Sequence, residues 1–175
     1  MRRLADARRI RRFLELLGER ASRPARLYLV GGATAVLQGW RDSTIDVDLE
    51  LVPDSDELLR AIASLKRELE LNVELAAPHH FIPEVPGWQQ RSPFVEQFGR
   101  LAVFHYDPYS QVLAKLERGH AKDLRDVESM VAAGLVEPER LRELFGAIEP
   151  ELYRYPAVDP DSFRRAVEEL AGRGS

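Results

Sequence analysis

The feature that most restricts what this chain can fold into is a short run of four elements: a strand, a Gly-Gly pair, a brief helix and a strand carrying two aspartates. Leu27-Tyr28-Leu29-Val30 is a continuous apolar stretch rich in strand formers and bounded by Gly31-Gly32, the pattern of a buried strand ending in a turn. Ala33 to Gln38 then reads as a short helix closed at Gly39. Thr44 to Val52 alternates with period two, so Val47, Leu49 and Leu51 form an apolar face and Asp46 and Asp48 converge on the other.

Two carboxylates that close repel one another unless a cation sits between them. Mg²⁺ (or Mn²⁺) suits the pair, because it is hard, prefers oxygen and is content with one or two carboxylates plus substrate phosphates. Gly31 and Gly32 complement it. Without Cβ atoms they let backbone approach a phosphate, and they open a helix whose N–H groups and dipole favour anions. Metal on the carboxylates and phosphate on the glycine turn together describe nucleotidyl transfer from an NTP. Arg41 and Thr44 flank the acidic strand, and Arg41 either contacts phosphate or pairs with Asp42.

The rest of the chain supplies a frame for that centre. Residues 3–19 predict an amphipathic helix stopping near Gly18 and Pro24, with Leu4, Ala7, Ile10, Phe13, Leu14 and Leu17 as its apolar stripe. Ser55 caps a helix running to Glu68, and Leu71 to Ala76 is a third strand with Asn72 and Glu74 facing one way. Residues 77–100 are the least regular part, with Pro78, Pro83, Pro86, Gly87 and Pro93 among His79, His80, Phe81, Trp88 and Arg91; they read as a functional loop. The neighbouring histidines read as surface residues rather than a metal pair. Leu101 to Tyr106 is a fourth strand. Helices follow at 108–118, 121–133, 138–145 and 161–171. The expected fold is α/β (α+β), a mixed sheet of four to five strands with helices on the side opposite the carboxylates and a helical C-terminal part. A basic N-terminal helix (1–26), a core (27–107) and a helical region (108–175) are expected to make one compact unit.

Composition narrows the chemistry. The chain has no cysteine, which removes disulfides, thiolate metal sites and cysteine nucleophiles. No apolar run approaches the roughly 20 residues needed to cross a bilayer, and the N-terminus lacks the apolar core of a secretion signal, so a cytoplasmic location without membrane partners is expected. Residues 1–26 hold nine arginines against three acids in a chain of net charge −4. Such a basic segment on an acidic body either steers a polyanion such as RNA or is simply the solvated face of a packed helix.

Leu29-Val30-Gly31-Gly32-Ala33, Gly39 and Arg41-Asp42-Ser43-Thr44-Ile45-Asp46-Val47-Asp48-Leu49 resemble the signature of the polymerase-β-like nucleotidyltransferase superfamily. In detail they are similar to its small bacterial members related to AbiEii-type toxins. Lys115-Leu116, Arg118 and Lys122-Asp123-Leu124-Arg125-Asp126 resemble the lysine and Lys-Asp-x-x-Asp helix pair of those families. The resemblance implies that Gly31 and Gly32 bind phosphate and that Asp46 and Asp48 are metal ligands and catalytic. It also implies a third carboxylate that activates the attacking hydroxyl, with Glu74 as candidate and Glu50 as rival. Lys115 fits a triphosphate contact, and Asp123 and Asp126 share a helix face. The implied acceptor is an RNA 3′ end, including tRNA, or a protein hydroxyl; a cognate antitoxin is an implied partner. A nucleotide-binding module without turnover is the competing reading.

Overall fold

The computed structural model describes residues 3–173, which form two units. One comprises the chain up to Ala77 together with Ser92–His105; the other comprises Pro78–Arg91 and the chain from Tyr106 onward.

The first unit opens with α1, Ala7–Arg20, capped by Asp6, whose carboxylate accepts the Arg9 N–H at 2.9 Å. The cap satisfies one of the four amide donors a helix start leaves without a partner. The helix begins later than its apolar stripe suggests. Ala5 instead exchanges backbone hydrogen bonds of 2.8 and 2.9 Å with Thr44 in an antiparallel bridge. It also continues through Gly18. That glycine is not a stop but a point of close approach, since a side chain there would strike the Phe98 carbonyl.

The chain then alternates: β1 Ala25–Val30, α2 Gly32–Gln38, β2 Asp46–Val52, α3 Asp56–Glu68, β3 Asn72–Leu75, β4 Phe94–Phe98 and β5 Leu101–His105. The five strands form a mixed sheet in the order β3-β2-β1-β5-β4. β2 runs parallel to β3 and antiparallel to β1, while β5 runs parallel to β1 and antiparallel to β4. On one face Leu27, Leu29, Val47, Leu49, Leu51 and Val103 join a single buried cluster with Phe13 and Leu14 of α1, Val36 of α2 and Leu58 and Leu65 of α3. All three helices therefore pack on the face opposite Asp46 and Asp48, as the alternation in β2 requires.

His105 sits on that helix-covered face beside the turn that leads into α2. Its Nδ1 lies 3.1 Å from Thr34 Oγ1, which itself donates to the Leu29 carbonyl at 3.0 Å. Because the hydroxyl proton is used on Leu29, the imidazole must donate from Nδ1. Burial pushes the His105 pKa down to about 4, from 6.5. Between those values the unfolded chain binds a proton that the folded chain refuses. Stability is therefore complete above pH 6.5 and declines as the pH falls toward 4, by about 3 kcal/mol in total. Urea titrations at pH 7 and pH 4 should show this loss in the wild type and a loss smaller by that amount in His105→Gln. Equal losses in the two proteins would contradict the assignment.

β4 falls inside the stretch that looks irregular in sequence. Its burial does not alternate, and the register shifts between Phe94 and Glu96, a bulge that erases the period-2 pattern. It is joined to β5 by the two-residue connection Gly99-Arg100, with Gly99 at φ +58°, the left-handed backbone that two-residue hairpins use.

The second unit is helical: α4 Trp88–Arg91, α5 Pro108–Arg118, α6 Ala121–Ala132, α7 Pro138–Ile148 and α8 Pro160–Arg173. Trp88 stacks on Tyr106 with ring centroids 4.3 Å apart, and Arg91 Nη2 donates to Asp107 Oδ2 at 2.7 Å. Asp107 also caps α5, accepting from the Tyr109 and Ser110 amides. His79 ends in a 3₁₀ turn, Pro78–His80, with Nδ1 3.1 Å from the Tyr106 hydroxyl. The proline-rich segment is thus tied to α5 by ring stacking and a buried carboxylate. No helix among the described residues is long and apolar enough to cross a membrane.

Candidate functional site

In β2, Asp46, Asp48 and Glu50 alternate with buried Val47, Leu49 and Leu51, so all three acids occupy one sheet face. The neighbouring strand extends the row. Asp46 lies beside Asn72 and Asp48 beside Glu74 in the parallel register of β2 and β3, which brings four carboxylates and one amide onto adjoining positions. Asn72 Nδ2 donates to Asp46 Oδ1 and, at 3.2 Å, to Glu74 Oε1.

The glycine turn meets this row from the other side, since Val30 pairs with Asp48 across β1 and β2. Gly31 follows immediately, with φ +61° and ψ −124° at the start of α2. A Cβ placed on it would lie 3.6 Å from Asp48 Oδ2. A Cβ on Gly32 would collide with Thr44 Oγ1 and lie 3.4 Å from Arg41 Nη1. A side chain at 32 would therefore displace Thr44, and one at 31 would need a left-handed backbone beside the Asp48 carboxylate, which is why glycine suits both positions.

Thr44 is held on three sides. Its backbone is bridged to Ala5, its hydroxyl donates to the Asp46 carbonyl at 3.0 Å, and its side chain abuts Gly32. The extended residues before α1 thus anchor the loop that returns from α2 to β2. Their part in the site has no local sequence signal, because it arises from a contact spanning about forty residues of chain.

Of the residues expected to act together, Gly31, Gly32, Arg41, Thr44, Asp46, Asp48 and Glu74 are gathered in the first unit. Glu50 lies two positions beyond Asp48 and opposite Tyr28, whereas Glu74 lies directly across from Asp48. Cross-strand neighbours stand about 4.8 Å apart and residues two apart on a strand nearly 7 Å, so Glu74 is the nearer carboxylate.

Lys115 belongs to the second unit, where it is buried with Nζ 2.9 Å from Asp126 Oδ2 and 3.7 Å from Asp123 Oδ1. Asp123 and Asp126 do share a face of α6, and both are buried. Burial alone would raise the Asp123 carboxyl. The Arg118 hydrogen bonds and charge, with Lys115 and His120, outweigh it and hold the group below its ordinary value. The arginines of α1 are drawn largely to acids of their own unit: Arg11 to Glu96 at 3.2 Å and Arg20 to Glu68 at 3.1 Å, with Arg3 on Glu70 just before the helix. Exposed pairs of this kind stabilise little, but they offset the positive charge that the N-terminal sequence displays.

The donor set fits a hard divalent cation. Asp46 and Asp48 offer oxygen ligands on one face, and Gly31 beside Asp48 presents backbone without a Cβ. No match is found among curated proteins or among solved structures. A family model described as "Nucleotidyltransferase of unknown function" matches residues 6–165, a span that contains every element of both units apart from the end of α8. The chain belongs to that family, DUF6036.

Proposed function

We propose that this protein transfers a nucleoside monophosphate from an NTP to an acceptor hydroxyl, with Mg²⁺ or Mn²⁺ held by Asp46 and Asp48. The observation that carries the reading is the 3.6 Å between Asp48 Oδ2 and the Cβ position left bare by Gly31, which sets a carboxylate beside backbone that a phosphate can approach closely. When bound, the cation neutralises triphosphate charge and polarises the reacting oxygens. Gly31 and Gly32 let the phosphates approach the backbone. Arg41, at the rim of Gly32, donates to phosphate oxygens, while Thr44, its hydroxyl bound to the Asp46 carbonyl, packs against Gly32 and shapes the turn that receives them. Glu74 accepts the proton of the acceptor hydroxyl as its oxygen bonds to the α-phosphorus; the bond from that phosphorus to the bridging oxygen breaks and pyrophosphate leaves. The position of Glu74 across from Asp48 favours it over Glu50 for this role.

The resemblance to AbiEii-related proteins extends the proposal to an RNA 3′ end, such as that of tRNA, or a protein side chain as acceptor. It also extends it to a toxin–antitoxin setting in the cytoplasm with a cognate antitoxin as partner. Lys115 remains a proposed triphosphate contact. Its pairing with Asp126 and Asp123 fixes the ammonium group in place, which suits such a role once those carboxylates are shared.

The test is transfer of label. The full chain would be incubated with each α-labelled NTP, Mg²⁺ and either total RNA or a protein lysate, beside an Asp46→Ala/Asp48→Ala double variant. Label on RNA or on protein in the wild type alone is expected and names the acceptor class. Label on neither, with wild type and variant alike, would rule out the transfer reading.

A further inference from the structure

We infer that Asn72 is a positioning residue that divides each of two carboxylates into an anchored and a working oxygen. The inference rests on the metal-site reading above and adds a residue to it.

Asn72 is a neutral side chain set among the acids of this face. Asp46 lies beside it on β2 and Glu74 two residues along its own strand. Its single amide nitrogen donates to both, to Asp46 Oδ1 and to Glu74 Oε1. The orientation is dictated by chemistry, because the opposite flip would press the amide oxygen against two carboxylate oxygens. Each N–H therefore occupies one oxygen of one acid. Asp46 Oδ2 and Glu74 Oε2 are left as the oxygens able to meet a cation or a hydroxyl proton.

Two physical consequences follow. The amide hydrogens lower the mutual repulsion of Asp46 and Glu74 without adding a net charge, which a lysine or arginine at this position would do. They also restrict the side-chain torsions of both acids, so less conformational freedom is lost when a cation binds. An aspartate at 72 would do neither; it would bring a fifth acid to the cluster.

Partners of this kind typically change metal affinity 10- to 100-fold when removed. The experiment is calorimetric titration of the metal-free protein with Mn²⁺, without nucleotide, for the wild type, Asn72→Ala, Asn72→Leu and Asp46→Ala/Asp48→Ala. Leucine keeps the γ-branched outline of asparagine, with more bulk than alanine but no donor, so it separates orientation from packing. The expected result is a wild-type site that weakens about 10- to 100-fold in both Asn72 variants, with the melting temperature of Asn72→Leu in chelator unchanged. Affinity within about twofold of wild type in both variants overturns the role of Asn72 and leaves the metal site standing. A loss that tracks an equal fall in melting temperature in both variants overturns it too, as mere destabilisation. Absence of Mn²⁺ binding in the wild type, matching the double aspartate variant, removes the site itself and this role with it.

Discussion

Asp48→Asn is expected to lower nucleotidyl transfer by about a thousandfold or more while leaving the protein at least as stable as before, on the scale of about 4 kcal/mol of lost transition-state stabilisation. The two halves of that expectation have one cause. Asp46, Asp48, Glu50 and Glu74 share a sheet face, with Asp48 between Asp46 and Glu50 along β2 and across from Glu74. Unit charges about 7 Å apart near a protein surface repel by about 2 kcal/mol, so neutralising the central one relieves strain when no cation is present. Asparagine keeps the shape and removes only the charge. In chelating buffer the melting temperature should hold or rise by a few degrees. Added Mg²⁺ should then stabilise the wild type and leave Asp48→Asn where it was, since only a bound ligand shifts the unfolding equilibrium. Thermal melts with and without Mg²⁺, run beside the label-transfer assay, measure both halves. A variant that melts far lower yet retains transfer would show that Asp48 holds the sheet together and not a cation.

Gly18→Val should cost about 4 kcal/mol and lower the melting temperature by roughly 10 °C. Gly18 lies inside α1, where an ordinary glycine would cost stability relative to alanine and invite replacement. Here it is the contact point between the helix and the β4–β5 hairpin. A Cβ at 18 would strike the Phe98 carbonyl, and a Cβ on Gly99 would lie 2.6 Å from the Gly18 carbonyl. Both obstacles are backbone, which cannot rotate aside as a side chain can. The helix would have to lift from the hairpin, opening the layer in which Phe13, Leu14 and Leu17 are fully buried. Equilibrium unfolding in urea reads the loss directly. A change below about 1 kcal/mol would mean that α1 and the hairpin can separate without cost, contrary to the packing.

Much of this was legible in the amino-acid order. The period-2 pattern of Thr44 to Val52 assigns Asp46 and Asp48 to one side, the apolar stripes assign α1 and α3, and Ser55 marks the start of α3 by accepting the Leu58 amide at 3.2 Å. The glycine turn announces itself by its place after an apolar strand. What escaped has a common cause. β4 hides behind a bulge, although the Gly99-Arg100 pair was a usable hairpin signal. Gly18 reads as a terminator because sequence shows its helix propensity and not the carbonyl pressed against it. The basic segment admits a polyanion surface or a solvated helix face, and only the fold brings Glu68, Glu70 and Glu96 to Arg20, Arg3 and Arg11. Nothing local to Lys115 tells that its ammonium group meets Asp126 and Asp123 of α6.

By itself, then, the sequence determined that two carboxylates face the same way behind a glycine turn, because side-chain direction along a strand is a property of covalent geometry and holds whatever the strand meets. Only the tertiary structure decided that Glu74 stands across from Asp48, that Asn72 reaches both Asp46 and Glu74, and that Thr44 closes on Gly32. Those neighbours depend on strand order and register, which are set by which apolar faces bury together across the whole first unit, and no local stretch of residues contains that outcome.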